Sequence, residues 1–217
     1  MKDKRLACAV MASFLLVPSM APAASQSPTE RVQAAVAEMQ NAVPEQGEGE
    51  TLTPEQAKEV SRLIGNHFDF PKLARMVLGR HWKKRTPAER KEFVSLFTDL
   101  LERSHMMRMS TEAKAEQRFV GEEVEEDRAV VQAIAKVDDS EIPIEYILAQ
   151  QNGTWKIYDL GVDGMRLSQI YRSQFNKVIS RGSYDDLIRR MKIKLEEIEL
   201  DQQATRASYS QVSRRRR

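Results

Sequence analysis

Apolar residues recur at helical spacing through the first half of the chain and at strand spacing through much of the second. From Pro28 to Val43, Val32, Ala35, Val36 and Met39 fall on one face of a predicted helix. Glu45 to Glu50 is a Gly/Glu-rich linker. Thr53-Pro54 opens a second helix by the cap-then-proline rule, with Ala57, Val60, Leu63 and Ile64 apolar. Phe68-Asp69-Phe70-Pro71 breaks it, and a short helix carrying Leu73, Met76, Val77 and Leu78 runs to about Gly79. Thr86-Pro87 opens the longest helix of this half, with Phe93, Leu96, Phe97, Leu100, Leu101 and Met107 apolar.

The period then changes to two. Arg118–Val124, Ala129–Val137, Ile142–Ala149 and Thr154–Val162 read as strands. Their connections carry Glu125-Glu126-Asp127, Asp138-Asp139-Ser140 and Asn152-Gly153, all short enough to imply an antiparallel meander. Two helices follow, Ser168–Ser180 with Ser168 as its cap and Ser183 to about Leu200, separated by Arg181-Gly182. Residues 201–217 are polar and expected to be disordered. The order gives an α+β fold, with helices packed on one face of a four-stranded antiparallel sheet. In the second strand one face reads Ala129, Val131, Ala133, Ala135, Val137, apolar but small. Opposite a helix rich in Phe and Leu, such a face either interdigitates into a solid core or leaves a cavity.

The N-terminal segment reads as an export signal. Lys2, Lys4 and Arg5 precede an apolar run over residues 6–17, too short for a membrane span, and Ala21-Pro22-Ala23 places cleavage after Ala23. Removal of residues 1–23 takes Cys8, the only cysteine, so the remaining chain forms no disulfide. It also leaves the chain formally neutral, with positive charge concentrated in Arg214–Arg217 and a net acidic body. That balance argues against a nucleic-acid partner. Residues 24–200 are of a length for one domain, read as monomeric.

Catalytic motifs are scarce. The glycines form no phosphate or dinucleotide loop, no Ser lies in a G-x-S-x-G elbow, and no paired His spacing suits a metal, so no cofactor is expected. His67, two residues before Asp69, forms with it the one candidate acid–base pair, and such a pair is more often local structure at a helix end. His81 lies in the basic run Arg80–Arg85 beside Trp82, suited to a phosphate head group, to an acidic partner, or to plain solvation. His105 falls near an apolar stripe and reads as a core histidine.

Several runs taken together resemble the MlaC family. They are Phe68-Asp69-Phe70-Pro71-Lys72-Leu73-Ala74, Val77-Leu78-Gly79 with Trp82, Thr86–Phe93 with Leu96-Phe97, Gly153–Asp159, and Tyr171-Arg172-Ser173-Gln174-Phe175. The resemblance runs in order from about Pro28 to Leu195. It implies an NTF2-like α+β fold around an apolar pocket, and a non-enzymatic carrier of phospholipid in the periplasm. It also implies partners in an inner-membrane Mla-type ABC transporter complex and an outer-membrane Mla lipoprotein complex. Met165-Arg166 departs from the expected family pattern, and a hopanoid-associated relative would share the fold with a different lipid.

On this reading the pocket lies between the Ala/Val face and the Phe93–Leu101 helix. Its candidate lining is Phe93, Phe97, Leu100, Leu101, Val131, Ala133, Ala135, Ile142, Ile144, Tyr146, Ile170 and Phe175, with Arg80, Lys83 and Arg172 as head-group or partner contacts. The alternatives are an enzyme of the same fold using His67 and Asp69, and an adaptor with a solid core.

Overall fold

The computed structural model describes residues 26–42, 53–112, 115–137 and 139–215. The expected signal segment 1–23 and linker 45–50 lie outside them, as does the side chain of His105. The elements are α1 (Pro28–Ala42), α2 (Pro54–His67), α3 (Phe70–Leu78), a 3-10 turn (Gly79–Lys84), α4 (Pro87–Glu112), β1 (Glu116–Glu125), β2 (Arg128–Val137), β3 (Ser140–Gln151), β4 (Thr154–Val162), β5 (Met165–Arg166), α5 (Leu167–Arg181) and α6 (Tyr184–Arg215).

Three helices begin with the same device. Ser27 and Glu30, Thr53 and Gln56, and Thr86 and Glu89 each exchange two hydrogen bonds, the first backbone N–H reaching the third side chain and the reverse, at 2.6–3.2 Å. Proline follows the cap each time, at Pro28, Pro54 and Pro87, where its missing N–H costs nothing. Such a cap contributes about 1 kcal/mol, so the starts of α1, α2 and α4 are written locally.

The sheet is antiparallel in the order β1-β2-β3-β4-β5. Cross-strand register puts Val131 opposite Tyr146, Ala133 opposite Ile144 and Ala135 opposite Ile142, so the small face of β2 continues into β3. A register shift at Ile147/Leu148 lets Trp155 and Ile157, then Leu160 and Val162, occupy this same inner face. The sequence predicts four strands; β5 is a fifth, a two-residue return of the chain across Asp163-Gly164. Both of those residues have positive φ (49° and 74°), as Asn152 and Gly153 do (49° and 77°). The same turn chemistry therefore makes both hairpins.

β5 covers β4 only at Gly161 and Val162. Farther along that edge the α2–α3 junction takes over: Phe68 bridges Ile157, and the Asp69 N–H donates to the Ile157 carbonyl at 2.7 Å. An otherwise open edge is thus closed by two short segments. The junction also carries α3 across the edge, where Met76 packs on Ile147, Ala149 and Tyr158, on the outer face. The helices are therefore not confined to one face.

Two further expectations are corrected. Ser168 is not the cap of α5; Arg166 holds that position without a side-chain bond, and Ser168 sits in the first turn. The last helix does not end near Leu200 but continues to Arg215, where the sequence reading has a polar, disordered tail. No glycine or proline occurs between Ser183 and Arg215 to interrupt it.

The buried apolar residues form two main clusters. One is helical, built from α2, α3, α4, α5 and α6 around Leu73, Val77, Phe93, Phe97, Phe175, Leu187 and Met191. The other belongs to the sheet, with Val32 and Ala35 of α1 lying over Ala129, Val131, Ala133, Tyr146, Leu148, Trp155 and Ile157.

Candidate functional site

The predicted lining residues divide between these two clusters. Phe93, Phe97, Leu100, Leu101 and Phe175 stand in the helical one. Phe93 and Phe97 stack at 5.7 Å, Phe175 meets both edge-on at 5.9 and 5.7 Å, and Tyr171 meets Phe97 edge-on at 5.2 Å. Val131, Ala133 and Tyr146 stand in the sheet cluster, with Ile144 half-buried against it. Phe68 packs against both clusters and stacks on Phe70 at 5.7 Å. The sequence sets the α4 stripe opposite the small face of β2, but Val32 and Ala35 of α1 occupy that place. Small residues on both sides, Ala35 on α1 and Ala129 and Ala133 on β2, let a helix approach closely, which a Phe/Leu stripe does not allow.

Burial falls along the inner face of the sheet. Leu148 and Ile157 are fully buried, whereas Phe119, Ile142, Ile144 and Leu160 are half-buried and Val162 is 43% exposed. Ala135 is buried at this more open end and belongs to neither cluster. Ile170, in the first turn of α5, is half-buried too. One polar pair interrupts the apolar surface: the Tyr146 hydroxyl donates to Gln117 Oε1 at 2.7 Å. Burial pushes the Tyr146 phenol up to about 12, against the opposing pull of the Gln117 bond, so it stays neutral. This half-buried part of the inner face is apolar, with one uncharged hydrogen-bonding pair.

The structure separates the candidate acid–base pair. His67 is buried, with Nε2 at 2.9 Å from Glu38 Oε2 of α1, and its Nδ1 meets no partner among the described residues. Asp69 caps α3, accepting the Lys72 N–H at 2.9 Å, and takes a second bond from the Gln151 amide. Each group is engaged elsewhere, so no dyad forms. Among the described residues no group of three or more His, Cys, Asp or Glu side chains is placed to hold a metal ion.

Of the basic candidates, Arg80 and Arg172 come together where the 3-10 turn meets α5. Arg80 Nη2 donates to Asn176 Oδ1 at 2.9 Å, and the same oxygen lies 3.0 Å from His81 Nε2. Lys83 is exposed on the same turn. A different depression, an open groove of about 430 Å³, runs between α4 and α6 and includes Glu92, Tyr184, Ile188 and Lys192. Its walls are charged, with Glu89, Asp185, Arg189 and Glu196 besides Glu92 and Lys192.

Asp159 is the positioning residue that sequence reasoning passes over. It is 1% exposed. Its Oδ1 accepts the Leu160 and Ser168 N–H groups, both at 3.0 Å, and its Oδ2 accepts the Ser168 hydroxyl. The carboxylate thereby satisfies the first turn of α5 and complements the helix dipole. Val32, Ala35 and Gln117 are also absent from the predicted lining; the alternation of Gln117 with Phe119 is the signal that puts it on the inner face, opposite Ala135.

No described helix is long and apolar enough to cross a membrane. The family model described as "MlaC protein" matches residues 31–193. No curated protein matches the chain. Among solved structures, the chain is similar to a phospholipid-binding protein from Ralstonia solanacearum, determined in complex with a phospholipid. The two are 20% identical, the match covers 78% of this chain and 97% of that one, and the TM-score is 0.70. The likeness establishes the shared α+β fold.

Proposed function

The chain belongs to the MlaC family, and on that premise we propose that it is a non-enzymatic lipid carrier. It binds the acyl chains of a glycerophospholipid between its helical and sheet walls and moves the lipid through the periplasm, between inner- and outer-membrane complexes. The observation that carries this reading is the division of the interior into two apolar clusters, with Phe68 packed against both. A single-core protein gains from fusing its apolar surfaces; acyl chains inserted between two clusters would leave each wall intact. The half-open inner face around Ile142, Ile144, Leu160 and Val162 supplies a way in.

The energetic need is large. Each methylene removed from water contributes about 0.8 kcal/mol, so a two-chain lipid with ~30 of them carries about 24 kcal/mol of apolar transfer energy. Such a molecule crosses an aqueous compartment only inside a cover. The export-signal pattern of residues 1–23 supports a periplasmic site of action, and the separate engagement of His67 and Asp69 supports binding without chemistry.

Transfer of a fluorescent phospholipid from donor to acceptor vesicles tests this. The protein is expected to accelerate transfer in proportion to its concentration. A rate equal to that in buffer would count against the carrier reading.

A further inference from the structure

The 3-10 turn and α5 assemble a group of cationic and polar donors. Gly79 has φ +51°, and a Cβ there would sit 3.0 Å from Arg172 Nε and 3.1 Å from its Cζ. Arg172 thus lays its guanidinium against bare backbone, at a positive φ that favours glycine and where a Cβ would press on the guanidinium. Among the described residues Arg172 makes no hydrogen bond and no ion pair. Arg80 is bonded only to the neutral Asn176.

Local geometry aims these groups the same way. Residues three apart eclipse on a 3-10 helix, so Lys83 shares a face with Arg80. Residues four apart share a face on an α-helix, so Asn176 stands beside Arg172. Asn176 Oδ1 is used by Arg80 and His81, which leaves its NH₂ as a further donor. Tyr171 and Phe175, on the adjoining face of α5, anchor this stretch in the helical cluster. None of Arg80, Lys83 and Arg172 has an ion-pair partner within 4.0 Å among the described residues, and like charges on neighbouring elements repel one another. Two other basic groups are matched, Arg85 by Glu89 at 3.0 Å and Lys192 by Glu92 at 2.8 Å.

We propose that Arg80, Lys83, Arg172 and Asn176 form a binding site for a phosphate group. Guanidinium forks match the oxygens of phosphate in pairs, and an amide NH₂ and an ammonium complete a set made only of donors. The phosphate belongs either to a lipid head group or to a free anion. The first source rests on the carrier reading; the site itself does not.

Titration of the ¹⁵N-labelled protein with sodium phosphate, against chloride at equal ionic strength, reads the site. Saturable shifts are expected at the amides of Gly79 to Lys83 and at Asn176, with affinity about tenfold weaker in the Arg80→Gln/Arg172→Gln double variant. Both side chains are exposed, so the variant's remaining spectrum should be unchanged; Arg172→Lys, which keeps the charge without the fork, should fall between.

The second arm compares retention of phosphatidylglycerol with that of dioleoylglycerol, which has acyl chains and no phosphate. Selective loss of the phospholipid in the double variant assigns the site to a head group. Unchanged retention of both lipids, with the phosphate shifts still lost, assigns it to a free anion. Retention of neither lipid by any form would overturn the carrier reading and leave the phosphate titration to decide the site. Shifts no larger with phosphate than with chloride, or a double variant that titrates like the original, would overturn the proposal.

Discussion

Asp159 fixes the start of α5 through Ser168, accepting both its N–H at 3.0 Å and its hydroxyl. One buried carboxylate therefore ties the last long strand to the helix that brings Tyr171 and Phe175 into the helical wall. Replacing it with alanine orphans the Leu160 and Ser168 N–H groups in a buried place. Asp159→Ala is expected to lower stability by about 3 kcal/mol, read as a fall in the urea midpoint at unchanged slope. A change below about 0.5 kcal/mol, the range of ordinary surface substitutions, would show that the contact does not position the helix.

Ala133 and Ala135 look alike in the sequence, two residues apart on one face of β2, yet they should respond differently to enlargement. Ala133 packs with Val32 and Ala35 of α1, so Ala133→Trp overpacks a filled space and should cost about 1–3 kcal/mol. Ala135 lies at the more open end between Gln117 and Ile142, in neither cluster. Ala135→Trp should preserve the melting temperature and reduce the lipid carried by the purified protein, measured by mass spectrometry of the extract. Normal lipid content in a folded Ala135→Trp protein would place the chains elsewhere.

Glu102 on α4 provides a pH test. Burial is the main cause that raises its carboxyl above the ordinary 4.5; Asp99 adds to this, while the Ser61 hydroxyl, donating to Oε2 at 2.6 Å, opposes it. A raised folded-state value means the protonated form is favoured by folding. The contribution is fully present below the unfolded value and is lost as pH rises through the folded one. Glu102→Gln, which still accepts the Ser61 bond, should melt higher than the original protein at pH 7, and the gap should close by about pH 4. A gap independent of pH would assign the difference to packing.

Local chemistry made much of the fold readable. The Ser/Thr-Pro starts of α1, α2 and α4 and the Asn152-Gly153 turn act within a few residues, and the structure has them where the sequence puts them. β5 was equally accessible, because Asp163-Gly164 repeats that turn signal, but a two-residue strand leaves no alternation to notice. The site was legible as a set of apolar residues and not as an arrangement. Periodicity assigns Ala133 and Phe97 each to an inward face, yet says nothing of which element lies opposite. Small residues admit a close neighbour, and α1 rather than α4 took that place over β2. The pairing of His67 with Glu38, 29 residues away, is non-local in the same sense, and proximity in sequence made Asp69 look like its partner.

Carriage of lipid between the two apolar walls is tested most directly by native mass spectrometry of the protein purified from its own cell envelope under gentle conditions, with the released ligand identified. A stoichiometric mass increment is expected, released on activation as a glycerophospholipid and diminished in Ala135→Trp. A protein that arrives folded and free of lipid would contradict it.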